Sequence, residues 1–191
     1  MYMATLIKNK RIVPDSWQLL KPAAEGAQLG TQLSESPDVP PTGDWIVPLA
    51  IWTEQRTQLS QRSGSSGRCG VLLENTEDPR VLAADFDKLA LIAVSFPKFT
   101  DGRGYSIARL LRRLGWKGEL RAVGDVLRDQ LFYMTRCGFD AFALRADQDA
   151  QVALTAFSDF TAPYQPAIDD GVRLGTVRAH SNAPVNTLNP W

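Results

Sequence analysis

Leu91-Ile-Ala-Val-Ser-Phe96, running directly into Pro97-Lys-Phe-Thr-Asp-Gly-Arg-Gly-Tyr-Ser106, decides the fold. Six residues without a charge, with apolar side chains at both odd and even positions, suit a strand whose two faces are both covered, as in a parallel sheet. The loop that follows leads into Ile107, Leu110, Leu111 and Leu114, which fall on one face of a helix ended by Gly115. A buried strand feeding an amphipathic helix is half of a βαβ unit. Working outward, the same alternation recurs. Trp45 to Ile51 reads as a strand, with Pro48 placing it at an edge or a strand end. A polar helix over Thr53 to Arg62 follows, then the Gly/Ser loop Ser63 to Gly67 and the strand Cys69 to Leu73. Asp78-Pro79 reads as a capped helix start, with Leu82, Phe86 and Leu89 inward. Glu119 to Gly124 is a strand, Val126 to Cys137 a helix, Asp140 to Leu144 a strand, and Asp147 to Phe160 the last helix.

The expected class is therefore α/β, with about five βα units forming a mostly parallel sheet. That sheet is either a three-layer sandwich or a curved, half-barrel-like one, since eight units would be wanted for a full barrel. Leu6 to Val13, two short apolar runs around Lys-Asn-Lys and closed by Pro14-Asp-Ser-Trp17, reads as an N-terminal β-hairpin. The chain divides into a hairpin over 1–20, a flexible linker over 21–44, an α/β domain over 45–165 and a disordered or extended arm over 166–191. The linker and arm lack any apolar period and are rich in Pro, Gly, Ser and Asn. An exposed sheet edge admits a second copy, so a homodimer is one assembly compatible with the pattern.

Composition narrows the function. The 191 residues carry 21 Lys+Arg against 21 Asp+Glu, a formal net charge of zero, so no uniform positive field favours nucleic acid. No apolar run is long enough to span a bilayer and the start has no secretory pattern, which makes the cytoplasm the expected location. Cys69 and Cys137 form no paired spacing for zinc or dithiol chemistry and read as buried thiols. With His180 the sole histidine, a Ser-His-Asp triad or a His-rich metal site has no residues to draw on. No metal is expected, and the residues identify no cofactor.

In a parallel sheet ligands gather at the carboxyl ends of strands. Lys98, Asp101, Gly102, Arg103, Gly104 and Ser106 crowd one such end, where two glycines give a loop able to wrap an anion around Arg103. The competing reading is a tight loop in which Asp101 caps the helix and Arg103 pairs locally. At the next strand end Asp125 reads as an N-cap, and Gln130 is placed to reach back over the strand ends. Arg121 lies within a strand and Arg145 just after one. Charges there are costly unless paired or liganded, so Arg103, Arg121 and Arg145, with Asp101 and Asp125, form a candidate polar cluster. Internal salt bridges are the alternative.

The stretches 96–106, Gly118-Glu-Leu-Arg-Ala-Val-Gly-Asp-Val-Leu-Arg-Asp-Gln130 and Cys137-Gly-Phe-Asp-Ala-Phe142 together resemble the bacterial domain of unknown function 934 family, over roughly residues 4–165. Members typically neighbour genes of assimilatory sulfite reduction and carry the label of an oxidoreductase of that process, a label that rests on neighbourhood. The resemblance implies a role in sulfur assimilation and cysteine biosynthesis without a mechanism. Two functions follow: an accessory protein that binds a sulfite reductase subunit, or a small enzyme holding an oxyanion or phosphate at the Arg103 loop. Whether the chain is catalytic stays open at this stage.

Overall fold

A computed structural model describes residues 5–20, 39–40, 42–62, 67–160 and 167–168. Most of the expected linker, the loop residues 63–66, most of the C-terminal arm and His180 lie outside the described residues. Eight strands form one sheet: β1 Thr5–Lys8, β2 Arg11–Pro14, β3 Gln18–Leu19, β4 Trp45–Pro48, β5 Cys69–Leu73, β6 Leu91–Phe96, β7 Glu119–Gly124 and β8 Ala141–Ala143, in the order β2-β1-β8-β7-β6-β5-β4-β3. From β3 to β8 all neighbours are parallel, and the β1–β2 hairpin adds antiparallel to β8. Its two-residue turn puts Asn9 and Lys10 at φ +50° and +60°, the paired left-handed backbone of a tight hairpin.

Six strands run parallel rather than five, because Gln18–Leu19 joins β4 as a short extra strand. That strand forces the sheet to curl. Pro14 ends β2 at one edge and Gln18 begins β3 at the other, and four Cα steps span at most about 15 Å. Eight flat strands would separate those edges by roughly 34 Å. The molecule is thus a half-barrel, closed on its open side by the link Asp15-Ser16-Trp17.

The helices are α1 Leu49–Glu54, α2 Arg56–Leu59, α3 Arg103–Arg113, α4 Leu131–Cys137 and α5 Ala150–Leu154, with 3₁₀ turns at Pro79–Asp85, Arg128–Gln130 and Thr155–Ser158. All pack on the convex face. Trp52, Leu82, Ile107, Leu111, Leu131, Met134 and Ala153 meet Val71, Ile92, Val94, Leu120 and Phe142 of the strands in one large core. On the concave face Ile46, Leu72, Leu91 and Ala93 form a second, smaller core against Trp17 and Val123. The three-layer sandwich is therefore excluded, since among the described residues no helix covers the concave face.

Several expected helices are shorter. Thr53 to Arg62 is replaced by α1 and α2, which begin right after Pro48 and break at Gln55. Asp78 does cap, its carboxylate accepting the Arg80 N–H at 3.0 Å, but the turn it starts is 3₁₀ and ends at Asp85. The last helix starts from Asp149, which accepts from the Gln151 and Val152 amides, instead of from Asp147.

Candidate functional site

The carboxyl end of β6 carries a loop that its neighbours hold from both sides. Gly124, at the end of β7, has φ +99°, and a Cβ there would stand 2.5 Å from the Phe96 carbonyl oxygen. Only glycine allows that approach, which lets the Asp125 N–H donate to Phe96 O at 2.7 Å. So placed, the Asp125 carboxylate accepts the Phe99 N–H at 2.9 Å, while Gln130 Nε2 donates to Phe99 O at 2.7 Å. Gln130 is itself buried and fixed, its Oε1 accepting the Leu127 N–H. Both backbone groups of Phe99 are thereby clamped while its ring remains 49% exposed.

Asp125 is therefore a strap between strand ends and not a helix cap. The helical chain begins only after Leu127, with the 3₁₀ turn Arg128–Gln130 running into α4, so the expected helix from Val126 is corrected too. The Phe99 amide, chiefly, and then the Arg145 guanidinium hold the Asp125 carboxyl below its usual range. Arg145 spans two carboxylates, Asp125 and Asp147, each at 2.7 Å. Its bonds to Asp147 draw that carboxyl down to about 2.

Beside this strap, Arg103 folds back on Asp101 with Nη2 at 2.6 Å and Nε at 3.0 Å, and the Arg103 N–H also donates to Asp101. Those bonds, with one from the Asn75 amide, hold the Asp101 carboxyl down at about 2. Gly102 does not take a left-handed backbone, having φ −80°, and Gly104 lies inside α3. A Cβ on Gly104 would stand 2.5 Å from the Phe96 ring, so this glycine lets α3 rest on β6 instead of loosening a loop. Lys98 is exposed, and among the described residues it forms no ion pair. Ser106 is exposed one turn into α3, in a groove with Arg109, Arg112 and Arg113.

Arg121 lies apart from Arg103 and Arg145. Strand alternation puts its side chain on the concave face, toward the start of β7, where its lateral neighbours Ala93 and Ala141 leave room for a guanidinium. It is 2% exposed and fully engaged: Nη1 donates to both Asp15 oxygens at 3.0 and 2.9 Å, and Nε and Nη2 meet Glu119 Oε1. Lys8 completes the group at 2.6 Å from Glu119. The expected arginine cluster is thus two groups at opposite ends of the strands.

Sequence reasoning missed Asn75, Asp15 and Glu119. Asn75 stands two residues beyond Leu73, so a reading of every strand end in turn would have reached it. Asp15 carries no such signal, since its partner is 106 residues away. Both cysteines are buried, and desolvation pushes the Cys69 thiol up to about 11. Among the described residues, no helix is long and apolar enough to cross a membrane.

Residues 70–174, from β5 through α5 and beyond, match the family described as bacterial protein of unknown function, DUF934. The hairpin, the Asp15–Trp17 link and β4 precede the matched stretch. No curated protein and no solved structure matches the chain.

Proposed function

The chain belongs to this family of bacterial proteins of unknown function, and from that premise we propose that it is an accessory protein of assimilatory sulfite reduction, binding a sulfite reductase component at the Phe99 loop. The observation that supports this reading is the clamped, half-exposed phenyl ring. An aromatic side chain whose backbone is fixed on both sides meets a partner with little ordering entropy left to lose, which is the character of an interface hot spot. The charges around it suit the rim of such an interface: Arg103 and Arg145 already hold carboxylates, so the surface offers fixed ion pairs instead of a vacant guanidinium. An oxyanion at Arg103 would first have to displace Asp101, which makes the small-ligand alternative the weaker one.

The test is binding of the purified full chain to each purified sulfite reductase component by calorimetry, with Phe99→Ala beside it. Wild type should bind one component, and the variant should lose about tenfold or more in affinity, as hot-spot aromatics do, with its melting temperature unchanged. No binding of wild type to any component, or equal affinity of the variant, overturns the reading. Saturable sulfite or phosphate binding lost in Arg103→Ala would establish the alternative.

A further inference from the structure

Helix α3 carries Arg103, Arg109, Arg112 and Arg113 and no acidic residue. Two of these are accounted for: Arg103 pairs with Asp101, and Arg112 donates to Asp140 and to the carbonyls of Trp116, Gly118 and Gly138. Arg109 and Arg113 are exposed, one turn apart, and form no ion pair with any described residue. Like charges at that spacing disfavour a helix unless an anion lies over them.

The described chain resumes in this same place. Ile168 lines the groove with Ser106, Arg109, Leu110 and Arg113, and its N–H donates to the Arg136 carbonyl at 3.2 Å. The next two residues in the sequence are Asp169 and Asp170. With Ile168 in the groove, two further Cα steps of 3.8 Å keep both carboxylates within reach of the arginines. We propose that the arginine ridge of α3 is a docking site for carboxylates, and that its occupant is this chain's own Asp169–Asp170, which fastens the start of the C-terminal arm along the helix. Charge complementarity and the point at which the described chain ends both select this occupant over a second copy or an acidic partner.

Trypsin digestion of the full chain tests it, followed by mass spectrometry at Arg173, the first arginine beyond the acidic pair. Asp169→Asn with Asp170→Asn should speed cleavage there by roughly two- to thirtyfold, the range for two exposed ion pairs acting together. Arg109→Gln with Arg113→Gln should do the same while helix content by circular dichroism stays constant, since Gln is a good helix former. The fourfold variant should cleave no faster than either pair, because both remove one interaction. Raising salt to about 1 M should speed cleavage of wild type as well. Unchanged cleavage in the Asp169/Asp170 variant overturns the proposal. So does an effect confined to the arginine variant, which would give the ridge another occupant, and so does protection that rises with protein concentration, which would make the occupant a second copy.

Discussion

Arg121 shows how one side chain binds distant parts of the chain together. Its guanidinium sits on the concave face between two alanines and reaches Asp15 of the link and Glu119 of its own strand, with side-chain exposures of 12% and 8% for the two acids. Removing the cation leaves Asp15 without its ion-pair partner and Glu119 with Lys8 alone, and breaking a buried pair in this way typically costs about 3–5 kcal/mol. Arg121→Ala should therefore lose stability of that order in urea melts. Arg121→Met combined with Asp15→Asn and Glu119→Gln should recover much of it, because the one charge then left without its partner is Lys8, which is 41% exposed and stays hydrated. If Arg121→Ala proves neutral, the link is not held by this group. That Arg121 needs partners is legible in the sequence, since a charge inside a buried strand must be satisfied. Which partners it finds is not, because the curl of the sheet, and not any local pattern, brings Asp15 under it.

At the scale of elements, Gly124 sets the position of everything beyond β7. Its positive φ and the 2.5 Å approach to Phe96 O mean that Gly124→Ala strains the backbone and pushes β7 from β6. A loss of about 1–3 kcal/mol is expected for such a residue. The amide of Phe99 should also exchange faster with solvent as Asp125 moves away, and unchanged exchange would show that the strap does not depend on this glycine. The strands β5 and β6 are legible residue for residue, because burial on both faces leaves a run without a charge, and β7 is as legible although Glu119 and Arg121 interrupt its apolar residues. Helix starts are less so. Asp125 has the composition of a cap, yet its carboxylate is taken by Phe99 and Arg145, 26 and 20 residues distant. Gln130 shows the reverse case: a polar side chain off both clean faces of its helix does reach over the strand ends. The two residues of β3 carry no periodicity at all, and with them went the decision between sandwich and half-barrel.

For the whole molecule, acid should act through Asp85, which ties α1, α2 and the Pro79–Asp85 turn together. Burial alone raises its pKa, but bonds from Arg56 at 2.6 Å, Lys88 at 3.1 Å and the Trp52 indole at 3.1 Å outweigh that and hold the carboxyl below its ordinary value. A carboxylate with a depressed folded-state pKa adds stability above its unfolded value near 4, and that stability is lost as pH falls through the lower folded value. Wild type should thus lose stability steeply below about pH 4, and Asp85→Asn should be less stable at neutral pH with a shallower acid limb. Parallel acid limbs would remove Asp85 from this role.

The three-residue link between β2 and β3 also constrains the order in which the structure can assemble. The hairpin leaves the ribosome before the rest of the sheet, yet its docking strand is β8, and Lys8 pairs with Ala141. Until β8 exists and the sheet has curled, the link cannot lie across the concave face and Arg121 has no Asp15 to meet. Closure of such sequence-distant contacts is the slow part of folding. The hairpin, made before the strand it docks on, is therefore the last part of the sheet to find its place, and through that interval the nascent chain exposes the edge of β8 that the hairpin will cover, the point at which a chaperone or a second nascent copy would compete for it.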